Sequence, residues 1–256
     1  MTLKEQLVAY NTLLTREILR FARIWIQTIL PAMITTALYF IIFGKLLGDK
    51  VGKIDGLPYI EFIVPGLILM TVITNSYANV VSSFYSAKFQ RNIEEMLVSP
   101  TPNYIILIGF VSGGVARGVS VGLSVTLVSM LFVDLRVHSM LVLLSIGLLT
   151  AVLFSIAGFI NAIYARSFDD ISIIPTFVLT PLTYLGGVFY SISQLPGIWR
   201  DVAAFNPIIY MVNAFRYGFW GTELPLLQAY LVILTIGTVL YLFAIYLLRA
   251  GTGLRS

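Results

Sequence analysis

Five stretches of the chain, 24–44, 62–87, 137–165, 171–199 and 224–248, contain no Asp, Glu, Lys or Arg. Each reaches the length of about 20 apolar residues that a helix needs to cross a bilayer core about 30 Å thick. Backbone in lipid must satisfy its own N–H and C=O groups, so such stretches form either helices or the strands of a closed barrel, and their length selects helices. A sixth stretch, 103–133, carries one charge, Arg117. At about 1.5 Å per residue it is too long for one upright crossing. The expected span is 114–133, with 103–113 running obliquely at the inner boundary. Residues 202–215 are also free of charge and contain Asn206-Pro207. They are too few to span and read as part of a re-entrant hairpin over 191–222. The expected fold is an all-α polytopic membrane protein: one domain, 1–256, with six transmembrane helices, an N-terminal interfacial helix and an outer re-entrant helical hairpin between spans five and six.

Composition narrows what such a fold can do. Apolar residues make up 58% and charged residues 11%, too few polar side chains to cover a soluble globule. With no Cys and one histidine, His138, the chain has no means of building a disulfide, a thiolate metal site or a histidine cluster, and no metal ligand or catalytic residue is assigned. The net charge of +4 is thinly spread and fits the edges of spans rather than a nucleic-acid surface. With the N-terminus inside, the inner segments hold Lys4, Arg16, Arg20, Arg23, Lys88, Arg91, Arg166, Arg249 and Arg255, against Lys45, Lys50, Lys53, Arg136, Arg200 and Arg216 outside. That excess places both termini in the cytoplasm. No cleavable signal is expected, because the first 23 residues carry charges throughout and no uninterrupted apolar core. Over 1–23, Leu3, Leu7, Tyr10, Leu14, Ile18 and Phe21 share one face, continued by Trp25, while Thr12, Arg16, Arg20 and Arg23 share another. Such a helix lies on the inner leaflet or packs on the protein's own inner face.

The chain lacks a nucleotide site of its own. Its two Gly-Lys pairs, at 44–45 and 52–53, are followed by Leu46 and Ile54, where a phosphate-binding loop needs Ser or Thr. A proton relay would have to use boundary carboxylates, Glu61, Asp169 and Asp170, since none falls within a span. An intramembrane serine protease is disfavoured because His138 adjoins the loop bearing Asp134 and Arg136. The most ordered polar segment is 88–100, where Phe89, Ile93, Met96 and Leu97 share one helical stripe and Lys88, Arg91, Asn92 and Glu95 another, ended by Pro100. It is either a linking surface helix or a docking helix whose apolar ridge fits a soluble partner. Within the spans, Thr71, Asn75, Asn79 and Ser82 recur at about one turn, and Thr176, Thr180, Thr183 and Tyr184 cluster around Pro175 and Pro181, which invite a kink. Such stripes avoid lipid, either by bonding to another helix or by lining a path. Gly114, Gly118 and Gly122 predict a groove for close helix packing, and Leu143 is expected to face lipid.

Residues 91–100 resemble the cytoplasmic coupling segment of ABC-2 type permeases: an Arg-containing run, Asn92-Ile93-Glu94 in place of a Thr-Leu-Glu-like triplet, and a Leu-containing end before Pro100. Arg91 stands where that family commonly has Gly. The run Pro181 to Tyr190, then Gln194-Leu195-Pro196, Asn206-Pro207, Tyr210 and Phe215-Arg216, follows the family's fifth-span and outer-hairpin pattern in order. The resemblance covers essentially the whole chain. It implies the permease of an ABC exporter in a bacterial inner membrane, paired with a second copy and with cytosolic ATPase subunits that carry the ATP and Mg. This chain itself is expected to bind no cofactor. It implies coupling through Phe89, Arg91, Ile93, Glu94, Glu95, Met96 and Leu97. Asp169 and Asp170 in the loop 166–170 are either a second contact or simply a turn capping the fifth span. Thr71, Asn75, Asn79, Thr176, Thr180, Thr183 and Tyr184 are then the candidate lining of the path and dimer interface. The expected cargo is amphipathic, lipid-like or lipid-linked; the alternative is a non-transporting membrane scaffold that recruits a soluble partner.

Overall fold

The computed structural model describes residues 1–222, 226–251 and 253, with Lys45 and Asp49 as backbone only. Arg255 and the start of the 224–248 stretch lie outside the described residues. Helix α1 (Leu3–Arg23) opens on a capping box in which the Thr2 hydroxyl accepts from the Glu5 N–H and the Glu5 carboxylate accepts from the Thr2 N–H at 2.8 Å. α2 (Trp25–Tyr39) loosens into a π-turn, Phe40–Leu46, followed by short α3 (Gly48–Val51). A two-stranded hairpin follows, β1 (Lys53–Ile54) against β2 (Leu57–Pro58). With two residues in each strand, it leaves the chain an all-α membrane protein. The turn is Asp55-Gly56, both with positive φ, 48° and 81°, the dipeptide that a two-residue hairpin favours.

The remaining helices are α4 (Tyr59–Phe89), α5 (Asn92–Val98), α6 (Asn103–Ser129) and α7 (Met140–Tyr164). A composite then runs from α8 (Asp170–Ile174) through a π-turn (Pro175–Leu179) into α9 (Thr180–Tyr184). After a 3₁₀ turn (Ile192–Gln194) come α10 (Gly197–Ala204), α11 (Pro207–Trp220) and α12 (Leu226–Ala250). Among the described residues five helices are long and apolar enough to cross a membrane: Trp25–Gly44, Tyr59–Phe89, Asn103–Ser129, Met140–Tyr164 and Leu226–Ala250.

Two expected spans have other bounds in the structure. The 171–199 stretch is not one helix; its first helical run ends at Tyr184, the chain turns at Gly186-Gly187, where Gly187 takes φ 72°, and α10 begins separately at Gly197. The kink expected from Pro175 and Pro181 is present as a register slip into the π-turn, with the Thr180 hydroxyl donating to the Pro175 carbonyl at 2.9 Å. α6 runs unbroken past Gly113 and ends at Ser129, so 103–113 and 114–133 are not separate segments. It stays straight there because α1 covers its first half, with Leu13 against Gly109 and Glu17 against Gly113.

α4 is the axis of the bundle, held between α6 and α7. The glycine groove forms as expected: a Cβ on Gly122 would stand 2.6 Å from the Val72 side chain, and one on Gly118 would lie 3.0 Å from the Val72 carbonyl oxygen. Gly158 of α7 makes the matching approach from the other side, at 2.6 Å from the Tyr77 carbonyl oxygen. Small residues let backbones approach where lipid supplies no hydrophobic drive between helices. Leu143 does not face lipid; it is buried against Gly218 of α11.

Candidate coupling face and polar cleft

The segment 88–100 is not one helix. α4 continues through Lys88 and Phe89, and the chain then turns at Gln90 and Arg91. Arg91 takes the left-handed conformation, φ 61° and ψ 6°, and α5 restarts at Asn92. A left-handed residue cannot continue a right-handed helix, so the expected stripe is cut between Phe89 and Ile93. Ile93 turns inward, 1% exposed, with Met96 and Leu97 packed half-buried behind it on the core. The ridge expected to meet a partner therefore serves the protein's own packing. The outward face consists of Phe89, Arg91, Asn92, Glu94, Glu95 and Val98, the last 88% exposed.

Two contacts fix this face to the rest of the bundle. The Lys88 ammonium donates to the carbonyls of Ile163 and Ala165 at 2.6 and 2.8 Å, satisfying orphan carbonyls at the end of α7 with the charge that a helix C-terminus favours. Phe168 packs on Tyr85 and Phe89, with ring centroids 4.9 and 5.2 Å apart. The loop 166–170 thereby packs on the end of α4, just before the turn into α5. Within it the two acids part ways. Asp170 accepts from the N–H groups of Arg166 and Ser167 at 2.8 and 3.1 Å, and these backbone and Ser167 hydrogen bonds hold its carboxyl below the ordinary range. Asp169 is exposed and makes no capping bond.

The polar stripe of α4 is split between two neighbours. Thr71 and Asn75 line a cleft of about 340 Å³ between α2, α4 and α6, together with Gln27, Thr36, Thr74 and Arg117. Asn79 and Ser82 do not reach it. They lie beneath Arg20 of α1, whose guanidinium donates to the Asn79 carbonyl and side-chain oxygens at 2.9 and 2.7 Å and to the Ser82 hydroxyl at 3.4 Å. On the 170–184 helix, Thr183 is buried and donates to the Thr180 carbonyl, while Thr176 and Thr180 are exposed. The Tyr184 and Tyr39 hydroxyls meet at 2.8 Å, and Tyr39 also lines the cleft. One tyrosine pair thus links the two sets of polar residues.

α1 is rotated partway from the expected face, which supplies Tyr10 and Phe21 to the contact but not Leu3, Leu7 or Ile18. Tyr10, Leu13, Glu17, Arg20 and Phe21 face the bundle, while Leu3, Leu7 and Ile18 face outward. The cause lies on α6, where Gly109 and Gly113 leave room for Leu13 and Glu17. Glu17 is fully buried, accepts from Ser83 at 2.7 Å and lies 3.3 and 3.5 Å from Arg16 and Arg20. Reading the sequence alone missed this carboxylate. The signal was available: Gln6, Tyr10, Leu13, Glu17 and Arg20 also repeat at three and four residues, opposite a pair of glycines at four-residue spacing.

At the end of the bundle where α4 and α7 begin, α11 packs between them. Arg216, expected as an outer-loop charge, is instead 3% exposed. It donates to Phe62 O, Gly187 O and the Asn213 side chain at 3.2, 2.9 and 2.7 Å, and its guanidinium lies 3.7 Å from the Phe62 ring centre. Trp220 adds a bond to the Glu61 carbonyl at 3.1 Å. His138 is a packing residue here, edge-on to Tyr217 at 5.2 Å.

Comparison with known proteins agrees with this arrangement. The pattern of the ABC-2 type transporter family matches residues 8–220. The chain is 54% identical to the "Inner membrane transport permease YadH" of Escherichia coli (strain K12) over 250 residues, 97% of this chain and 98% of that protein. It is 24% identical to "Nodulation protein J" of Rhizobium leguminosarum bv. viciae over 236 residues, 91% of each chain. The chain is an integral membrane protein and belongs to the ABC-2 type transporter family.

Proposed function

We propose that this chain is the membrane-spanning subunit of an ATP-driven exporter, working as two copies with two cytosolic ATPase subunits that hold the ATP and Mg. In this reading the 170–184 helix is the sixth membrane crossing, short and π-kinked, and 191–222 is the outer re-entrant hairpin. Both termini lie in the cytoplasm of a bacterial inner membrane. The cargo is an amphipathic, lipid-like or lipid-linked molecule carried outward along the cleft side of the bundle. The Thr176 and Thr180 face meets the second copy.

The observation that carries the reading is the surface where the loop 166–170 packs on the end of α4, next to α5. Phe89, Val98 and Phe168 are exposed there, yet the same surface is tied through Lys88 to the end of α7 and through Phe89 to α4. A push on it reaches two buried helices directly, which is what ATP-driven coupling needs. Val98→Asp paired with Glu95→Arg alters only exposed side chains. Copurification with its cytosolic ATPase partner, and stimulation of that partner's ATP hydrolysis, are expected to fall at least about tenfold while membrane insertion is unchanged. Full copurification with normal turnover in that variant contradicts the docking surface. Binding without any stimulation of hydrolysis in the unaltered pair favours the scaffold instead.

A further inference from the structure

The cleft between α2, α4 and α6 carries a charge with no acidic partner in its lining among the described residues. Arg117 lies near the middle of α6 and lines the cleft, and its Nε is buried with no hydrogen-bond partner. The one carboxylate nearby, Glu17, is taken by Ser83, Arg16 and Arg20. Among the described residues no acidic side chain lines the cleft. The hydroxyls of Thr71 and Thr74 donate to carbonyls of their own helix, at 2.7 Å to Ile68 and 3.0 Å to Met70. Arg117 is therefore the principal charged donor that the cleft offers.

A cation within a membrane span is expensive unless something opposite in charge accompanies it. The lining of the same cleft includes an apolar part, Ala32, Leu67 and Met70, beside its threonines and Asn75. An arginine fork beside an apolar wall matches an anionic head, phosphate or carboxylate, joined to a hydrocarbon tail, and a cationic amphiphile would find no partner there. We propose that this cleft binds the anionic head of the transported amphiphile, that Arg117 pairs with it, and that Asn75 positions it. The proposal rests on the exporter reading and names the substrate class at the same site.

The test uses the full-length permease in phosphatidylcholine nanodiscs and three probes of equal chain length: hexadecyl phosphate, hexadecanol and hexadecyltrimethylammonium. Hexadecyl phosphate is expected to bind at least about tenfold more tightly than the other two. Arg117→Gln is expected to remove that preference, Arg117→Lys to retain part of it, and Asn75→Leu to weaken it severalfold. Inorganic phosphate at the same concentration is not expected to compete, since it lacks the tail. Equal binding of the three probes overturns the proposal, as does unchanged preference in Arg117→Gln. Competition by inorganic phosphate at that concentration overturns the amphiphile assignment. The charge series on the unaltered protein decides the matter even if a variant fails to fold. ATPase copurification is scored separately, so its failure sinks the exporter reading and leaves the binding result standing.

Discussion

Two arginines show how much a single position decides in this chain. Arg91 occupies left-handed backbone, which disfavours a side-chain-bearing residue by about 1–2 kcal/mol and admits glycine freely. Arg91→Gly is expected to keep the α4–α5 turn and to stabilise the solubilised protein by up to about 1 kcal/mol; thermal unfolding in detergent checks the sign. A lower midpoint would mean that the Arg91 side chain makes up the difference. Arg216 is the converse case, where the side chain itself holds the structure. Arg216→Lys keeps a charge but gives up the fork that reaches Phe62, Gly187 and Asn213 together. It is expected to lose about 1–3 kcal/mol, as buried carbonyls lose their donors. Asp170 supplies a pH-dependent element. Its carboxyl is depressed in the folded protein, so its contribution is complete above the ordinary carboxylate pKa of about 3.9 and disappears as pH falls through the folded value. Asp170→Ala should therefore lower the unfolding midpoint at neutral pH and make less difference in acid.

Among the elements, α5 is the one whose sequence misleads. Its apolar residues repeat as a docking ridge would, but Ile93 is core. Ile93→Ala is expected to destabilise by about 2–5 kcal/mol, as truncation of a buried aliphatic side chain does, whereas Val98→Ala on the outward face should change stability by less than about 0.5 kcal/mol. Equal effects would mean that the face is assigned the wrong way round. Periodicity finds an amphipathic helix without saying which neighbour its apolar side meets, and the same ambiguity left the rotation of α1 open. Spans were legible because lipid leaves a long apolar stretch few alternatives: 24–44, 62–87 and 137–165 agree with helices to within a few residues. The glycines of α6 were legible too, because their spacing is itself the contact. The splitting of the α4 polar stripe was not legible, since it depends on Arg20 arriving from another helix. The 171–199 stretch was overextended because Gly186-Gly187 ends a helix without adding any charge to mark the end.

At the scale of the whole molecule, the two ends of the bundle have different chemistry. The turn Asp55-Gly56 and the 3₁₀ turn Ile192–Gln194 meet at one end, with Ser193 Oγ 3.4 Å from the Asp55 carboxylate. Lys88, α5 and the loop 166–170 meet at the other. The native chain has no cysteine, so single Cys probes can report each end. Cys at Asp55 and at Ser193 should react with impermeant reagent from outside the cell, and Cys at Ser167 only from the cytoplasm; Ser193 and Asp55 reacting from opposite sides would contradict the common end. In native membranes Cys at Thr180 should cross-link to a second copy, whereas Cys at exposed Leu144 on α7 should not. The central claim is that ATP hydrolysed on a separate subunit moves an amphiphile through this chain. It is tested most directly in sealed vesicles holding the permease and its ATPase, by following a fluorescent alkyl phosphate between leaflets with and without ATP. The account predicts ATP-dependent movement toward the outer leaflet that is lost with the Glu95→Arg, Val98→Asp variant; movement at the same rate without ATP, or none in the intact complex with ATP, would contradict it.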